Sequence, residues 1–203
     1  STTVSSQYLI IAVGLALYIM MLIPVMFICE LYRKSPTPIA NIGSTLMGIV
    51  YVAMPLALLF FIPLLLGRGV WNPWALIFYI FIIWANDVCA YLVGMSIGKH
   101  RLFQRISPKK SWEGFIGGLV GAMVMGYVAS TFMEGTHAIW IGMALIAAIT
   151  GVFGDLVESL LKRSVDVKDS GNILPGHGGW LDRFDALLLS IPFVFIYLVF
   201  CID

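Results

Sequence analysis

The sequence predicts an all-α protein, a polytopic integral membrane bundle of about six transmembrane helices. Of its 203 residues, 60% are hydrophobic and only 11% are charged, which lies far outside the range of soluble globular proteins. The hydrophobic residues form runs long enough to cross a bilayer, and nearly all basic residues lie in the connections on one side. A net charge of +1 with no gathered basic patch predicts no nucleic-acid partner.

Six apolar runs define the predicted spans. A bilayer core of about 30 Å needs about 20 helical residues at 1.5 Å per residue, and the runs meet or approach this length. They cover residues 8–29, 44–66, 74–94, 114–132, a run from about 138 into the polar stretch that begins at 154, and 186–201. Short polar connections rich in Pro and Gly separate them.

The distribution of basic residues predicts the orientation of the chain. With six spans, the connections on one side hold eleven of the twelve Lys and Arg residues, and the other side holds only Arg68. By the positive-inside rule the basic connections face the cytoplasm. Both termini then lie on the outer side, and the polar stretch 154–185 lies on the cytoplasmic side, where nucleotides are available.

The fourth span and the basic connection before it carry two local signals. Ser107-Pro108 is typical of a helix N-cap followed by proline at the first helical position, so we expect a helix to begin there. The span itself has small residues at overlapping four-residue intervals, namely Gly114, Gly117, Gly118, Gly121, Ala122 and Gly126. Such residues let helices approach closely in lipid, which places this span inside the bundle. A homodimer contact through the same face stays open, because packing within the chain explains the glycines equally well.

Two carboxylates lie inside predicted spans. Asp87 interrupts the third span and Asp155 lies near the end of the fifth. A carboxylate in a membrane segment costs several kcal/mol and usually lines a polar cavity or binds an ion, although pairing with a lysine or extension toward the interface are alternatives. Asp155 is followed by Glu158, Ser159 and Lys162 at spacings of three, four and seven, which is one face of a helix. That face could hold a cation beside an anionic ligand.

The stretch 154–185 concentrates the charge of the chain. It holds six of the eleven acidic and four of the twelve basic residues. Its glycine-rich segment 175–179 could bring backbone N–H groups close to a phosphate, or it could be an ordinary connection. Asp182 and Asp185 open the last helix, where acids also stabilise the helix electrostatically. Those alternatives do not explain carboxylates, basic residues and glycines together at one membrane face.

Three blocks of this region resemble a known family. The pattern SLLKR at 159–163, KD at 168–169, LPGHGG at 174–179 and DRFD at 182–185 is similar to the signature of phosphatidate cytidylyltransferases, also called CDP-diacylglycerol synthases. SPKKSWEG at 107–114 resembles a second family block, and Asn86-Asp87 with Ala90-Tyr91 a third. The resemblance is close over about 84–185. Trp180, where the family usually has an aliphatic residue or phenylalanine, is a departure, as is Val88-Cys89 between Asp87 and Ala90.

The resemblance implies that CTP and phosphatidate react to CDP-diacylglycerol and pyrophosphate with Mg²⁺, in a bacterial inner membrane with the active site facing the cytoplasm. It implies that Asp155 and Asp182 hold Mg²⁺, with Asp185 as a further ligand or orienting group; a second cation such as K⁺ stays open. Lys162 and Lys168 are the implied catalytic cations. The further candidates for binding substrate are Lys109, Lys110, Arg163, Ser159, His177, Gly178, Gly179, Arg183, Asn86 and Asp87. Residues 1–83 would supply N-terminal spans, and 84–203 the catalytic region.

Other functions remain as alternatives. A related enzyme could transfer the cytidylyl group to another lipid phosphate, such as an archaeal ether lipid. The motifs indicate the nucleotide substrate more specifically than the hydrocarbon chains of the lipid substrate. A cation-coupled transporter would spread its acids through the membrane depth, whereas here most gather at one surface. A CDP-alcohol phosphotransferase is disfavoured, since its run of spaced aspartates is absent from the sequence.

Overall fold

A computed structural model describes residues 2–133, 136–167, 170–171 and 179–202, with the side chains of 2–13, 15–16 and 18–19 outside the description. The chain divides into two compact units, Ser1–Val50 and Tyr51–Asp203. The second unit contains every described residue of the predicted site.

The first unit consists of helices α1 (Thr2–Arg33) and α2 (Pro38–Gly48). Helix α1 contains the predicted first span. Pro38 begins α2 because its fixed φ suits the first turn and its missing N–H is not needed there. The side-chain amide of Asn41 donates to Glu30 Oε1 at 2.6 Å and to Ser35 Oγ at 2.8 Å, which joins the two helices across their short connection.

The second span is helical but interrupted at its prolines. A π-helical turn (Ile49–Ala53) leads into α3 (Met54–Leu59), and a turn at 60–61 leads into α4 (Ile62–Leu66). Pro55 cannot donate the hydrogen bond that the Tyr51 carbonyl would accept in an α-helix, and Pro63 has the same effect on Leu59. The helix therefore widens before Pro55 and breaks before Pro63.

The remaining helices are α5 (Pro73–Ile97), α6 (Trp112–Phe132), α7 (His137–Ser164) and α8 (Leu181–Cys201). Within the described residues, five helical segments are long and apolar enough to cross a membrane: Pro38–Leu66, Pro73–Ile97, Trp112–Phe132, His137–Ser164 and Leu181–Cys201. With the 32 residues of α1, this confirms the predicted all-α membrane bundle. The protein is an integral membrane protein.

The connection between α5 and α6 contains a two-stranded hairpin, where the sequence predicted a helix start. Strand β1 (Arg101–Phe103) pairs antiparallel with β2 (Ser107–Ser111), so the prediction of a helix beginning at Ser107 is wrong. Ser111 is the actual N-cap, and its Oγ accepts from the Gly114 N–H at 3.1 Å. A second serine four residues later could cap the helix equally well, and the strand pairing favoured it.

The small residues of α6 lie in close helix contacts, as the sequence predicted. A Cβ on Gly114 would lie 2.7 Å from the Ala90 carbonyl oxygen, and one on Gly118 would lie 2.9 Å from the Asn86 carbonyl oxygen. On the other side, a Cβ on Gly126 would meet the Trp140 carbonyl at 2.8 Å. Glycine thus lets α6 touch the backbones of both α5 and α7. The opposite face of α6 is exposed, with Ile116, Val120 and Val124 each more than half exposed, so α6 packs closely on two neighbours but is not enclosed by the bundle.

The core of the second unit lies between α5, α7 and α8. Tyr79, Trp140, Met143, Leu188 and Ile191 are fully buried. Tyr79 and Ser190, both buried, are joined by a 2.6 Å hydrogen bond across the bundle. Because α5 to α8 pack as successive antiparallel neighbours, the C-terminal ends of α5 and α7 and the N-terminal end of α8 meet at one side of the bundle.

Candidate functional site

Three carboxylates meet where α7 ends and α8 begins, and we call Asp155, Glu158 and Asp185 the carboxylate cluster. One oxygen from each lies within 4.8 Å of the other two. Glu158 is 1% exposed and Asp185 is 8% exposed, whereas the Asp155 side chain is 40% exposed. The cluster therefore has two buried members and one that is open to solvent.

Local structure explains the convergence. Asp155 and Glu158 are three residues apart on α7 and so face the same way. Gly154 brings α8 against this face, since a Cβ there would lie 2.5 Å from the Asp185 carbonyl oxygen and 3.0 Å from the Ala186 Cα. Asp185 is four residues into α8, at the level of the Asp155 turn.

Two lysines pair with these acids. Lys110, at the end of the hairpin, forms an ion pair with Asp155. Lys162 Nζ lies 2.6 Å from Glu158 Oε2 and 2.6 Å from Asp182 Oδ1. Neither Glu158 oxygen has a partner in hydrogen-bond geometry within the described residues, so its close contact with Lys162 is an ion pair without a well-aligned hydrogen bond. The two lysines are fewer than the four carboxyl groups beside them, which are those of Asp155, Glu158, Asp182 and Asp185.

Asp182 lies beside the cluster and organises the segments that flank it. Its Oδ2 accepts from the Ser170 N–H at 2.9 Å, the Ser170 hydroxyl at 2.8 Å and the Gly179 N–H at 2.7 Å. Gly179 is required by the close packing, because a Cβ there would lie 2.2 Å from Ser170 Oγ and 2.7 Å from the Gly171 nitrogen. Both oxygens of Asp182 are thus engaged within the protein.

The third helix of the site is α5. Asn86 is 1% exposed, and its amide donates to Asp87 Oδ1 at 3.3 Å. Its own Oδ1 has no donor within the described residues. Asp87 is exposed and interacts electrostatically with Lys110 and Asp155, so the polar pair on α5 belongs to the same surface as the cluster.

The other predicted residues fall into three groups. Ser159 touches the cluster, because its hydroxyl donates to Asp155 Oδ1 at 3.3 Å. Lys109, Arg163 and Arg183 are exposed around it. Lys168, His177 and Gly178 lie outside the described residues. The structure therefore brings Asp155, Asp185, Lys110 and Lys162 together with Glu158, and the predicted roles of the remaining residues stay predictions.

One member of the cluster, Glu158, and one residue near it, Tyr51, were not among the predicted site residues. Glu158 had a signal, since its spacing places it on the Asp155 face of α7. Tyr51 had none: it lies in the π-helical turn, with its hydroxyl buried and without a hydrogen-bond partner in the described part of the chain. It interacts electrostatically with Asp185, Glu158 and Asp155. Its proximity to the cluster depends on the fold, in which α3, directly after this turn, packs on α8.

The donor set of the cluster suits a hard divalent cation. Mg²⁺ prefers oxygen ligands and is usually held by a few carboxylates together with substrate phosphates. The buried, poorly satisfied oxygens of Glu158 are in the state that a bound cation would relieve, and the remaining negative charge would favour it. The residues present therefore fit Mg²⁺.

Fold and site together define a class. A helical membrane bundle that gathers three carboxylates and two lysines at one end is typical of an enzyme that handles polyanionic substrates with a metal ion. The model of the cytidylyltransferase family matches residues 2–201 of the chain. The chain belongs to this family.

Individual curated proteins resemble part of this chain more specifically than the family model does. Over 120 residues, 58% of this chain, it is 48% identical to a protein of Staphylococcus aureus (strain COL) and 50% identical to one of Bacillus subtilis (strain 168). A protein of Staphylococcus saprophyticus is 43% identical over 126 residues, 61% of this chain. All three are named phosphatidate cytidylyltransferase. The alignments cover 46%, 44% and 48% of these relatives, so the chain spans about half the length of the curated relatives it matches.

Proposed function

We propose that the protein transfers the cytidylyl group of CTP to phosphatidate, producing CDP-diacylglycerol and pyrophosphate. The observation that carries this proposal is the carboxylate cluster with its two lysines, placed at a membrane face in a chain of the cytidylyltransferase family. The name shared by the relatives supports the choice of phosphatidate as the lipid.

The reaction requires charge neutralisation more than proton transfer. A phosphate oxygen of phosphatidate attacks the α-phosphorus of CTP, the bond from that phosphorus to the bridging oxygen breaks, and pyrophosphate leaves with the electron pair. The attacking oxygen is already anionic, so no strong general base is needed. The difficulty is to bring two polyanions together and to stabilise the charge of the leaving group.

Asp155, Glu158 and Asp185 would hold Mg²⁺, which supplies positive charge beside the phosphates. Asp182, the other predicted ligand, is engaged by Lys162, Ser170 and Gly179. It would hold these three residues in place. We infer that its effect on the metal is exerted through these contacts.

Lys110 and Lys162 would each exchange a carboxylate for a phosphate when substrates bind. Both are held near the cluster by ion pairs, and a cation on the carboxylates would weaken those pairs. Lys109 and Arg163, both exposed, would supply further positive charge at the rim. The cluster thus keeps its cations in place before the phosphates arrive.

The predicted orientation would let CTP reach the cluster from the cytoplasm and phosphatidate reach it from the bilayer. By the positive-inside rule, the basic connections and with them the cluster would face the cytoplasm, where CTP is available. The α5 face near Asp87 is apolar and uncovered in this chain, with Trp84, Val88 and Tyr91 each more than half exposed. Acyl chains would remain in lipid along such a face while the phosphate enters the site.

The test is formation of CDP-lipid and pyrophosphate by the purified full chain in detergent, with CTP, Mg²⁺ and phosphatidate. We expect activity in the wild type, a loss of at least about 100-fold in Asp155→Asn, and no loss in Asp166→Asn. Asp166 is a matched control because it is exposed and its φ of 55° is one that asparagine tolerates.

Two outcomes would contradict the proposal. Equal activity in Asp155→Asn and wild type would remove the cluster from the reaction. The other outcome is a folded wild type that makes CDP-lipid from an ether or isoprenoid phosphate but not from phosphatidate. That result would support cytidylyl transfer and contradict phosphatidate as the lipid substrate.

A further inference from the structure

Tyr51 is a buried polar group that the proposed reaction has not yet used. Its hydroxyl oxygen is inaccessible to solvent and has no hydrogen-bond partner within the described residues. A phenol O–H in this condition is unfavourable, because it has lost its hydrogen bonds to water and gained none in exchange. Polar groups left unpaired in this way are rare in folded proteins.

The backbone around Tyr51 is also unusual. The residue lies in the middle of the π-helical turn Ile49–Ala53, directly before α3. Pro55, four residues later, removes the donor for the Tyr51 carbonyl, and single π-helical turns within helices are frequent at functional sites. The direction of the Tyr51 side chain is therefore set by the π-helical turn and not by the regular α-helical geometry of α3.

The surroundings of Tyr51 indicate what its hydroxyl could bind. Helix α3 packs on α8, which carries Asp185. The charged groups that act on Tyr51 are Asp185, Glu158, Asp155 and Lys162, which are the cluster and its central lysine. A ligand oxygen that enters to meet the cation and Lys162 would therefore come within reach of a free O–H donor.

We propose that the Tyr51 hydroxyl donates a hydrogen bond to a phosphate oxygen of a substrate bound at the carboxylate cluster. The inference rests on the proposed function for the identity of that ligand. The phosphate belongs to CTP or to the lipid, and the two substrates are separate arms of the test. Because the Tyr51 side chain is already held within the fold, the bond requires little additional ordering of this side chain.

The test uses Tyr51→Phe with Tyr79→Phe as its matched control. Tyr79 is also buried in the bundle, but its hydroxyl is hydrogen-bonded to Ser190 at 2.6 Å. We expect Tyr51→Phe to keep or raise the Tm of the ligand-free protein, because it removes an unpaired buried hydroxyl. Tyr79→Phe should lower that Tm by about 2–4 °C.

Substrate binding should respond in the opposite way. In Tyr51→Phe, kcat/KM for CTP or for phosphatidate should fall by about 10- to 100-fold, the value of a hydrogen bond to a charged group, and the Tm increase caused by that substrate with Mg²⁺ should shrink. In Tyr79→Phe both quantities should stay within about twofold of wild type. The substrate that is affected identifies which phosphate receives the bond.

Three outcomes would overturn the inference. One is unchanged kcat/KM for both substrates in an active Tyr51→Phe. Another is a fall in the ligand-free Tm like that of Tyr79→Phe, which would mean that the hydroxyl is bonded within the fold. The third is a wild type that binds neither substrate. A wild type that binds CTP or phosphatidate without forming CDP-lipid would refute the proposed reaction alone, and the Tm shift would still decide the role of Tyr51.

Discussion

Helix α8 carries two buried polar side chains whose surroundings differ. Ser190 lies in the middle of the bundle, where it is bonded to Tyr79 at 2.6 Å and donates to the Leu187 carbonyl at 2.9 Å. Asp185, nearer the N-terminus of α8, lies beside Glu158, whose oxygens have no well-formed hydrogen bond within the described residues. In the described part of the chain, the first region has its hydrogen-bond partners, whereas the second has carboxylate oxygens without one.

The difference separates stability from function. A fully bonded polar pair in the core is part of the fold, and its loss leaves a partner unsatisfied. Carboxylates with too few cations and donors oppose folding unless something binds them. Within the described residues, the buried carboxylate oxygens without a hydrogen-bond partner are those of Glu158, so this cost is carried in the carboxylate cluster. If the protein binds a cation and phosphates as proposed, we expect the binding energy to be gained at this cluster.

Removal of Lys162 should have the largest effect on stability. Lys162→Met leaves Glu158, 1% exposed, without its cation, and an uncompensated buried charge costs about 3–5 kcal/mol. We expect a large fall in the Tm of the ligand-free protein, measured by thermal unfolding in detergent. The double variant Lys162→Met/Glu158→Gln should recover part of the loss.

Measuring the Tm with and without Mg²⁺ makes this prediction more specific. The ion should raise the Tm of Lys162→Met more than that of the wild type, because it replaces the missing positive charge. A variant that is as stable as the wild type, with or without Mg²⁺, would mean that Glu158 carries no charge in need of compensation.

Gly118→Ala should have an intermediate effect. A Cβ at this position would lie 2.6 Å from Asn86 Oδ1 and 2.9 Å from the Asn86 carbonyl oxygen, so α5 and α6 would have to move apart. Overpacking of this kind costs about 1–3 kcal/mol, and the displacement of Asn86 should also lower activity. Gly43→Ala is the control, since nothing lies within 4 Å of its Cβ position; alanine should leave that helix as stable or more stable. Equal Tm values for the two variants would contradict the close contact.

Ser111→Ala should have the smallest effect, about 1 kcal/mol of stability, as expected for loss of an N-cap. Ser107→Ala is the comparison, because Ser107 lies in the hairpin and not at the helix start. Thermal unfolding of both variants decides between the two caps. A larger loss in Ser107→Ala would restore the helix start that the sequence predicted.

The spans could be predicted because they depend on local composition. Runs of apolar residues located every spanning helix, although α1 and α2 begin about six residues before the predicted spans and α7 continues to Ser164. The small residues of α6 predicted its close contacts with neighbouring helices. The helix start was wrong because Ser107 and Ser111 offer similar caps, and the choice between them depends on pairing with Arg101–Phe103. Pairing between strands is not a local property.

The site was partly predictable for the same reason. Asp155 and Glu158 lie on one helix face, so their proximity follows from spacing. The approach of Asp185 depends on the contact at Gly154, and that of Tyr51 on the packing of α3 against α8. The bonds that engage Asp182 come from Ser170 and Gly179, which are neighbours only after the chain has turned.

The most direct test of the carboxylate cluster is a titration of the purified protein with Mn²⁺, a paramagnetic substitute for Mg²⁺, with binding followed by electron paramagnetic resonance. We expect the wild type and Asp166→Asn to bind with equal affinity, and Glu158→Gln to bind at least about 10-fold more weakly. Unchanged affinity in Glu158→Gln, together with loss of binding only in Asp182→Asn, would contradict the account and place the metal at Asp182.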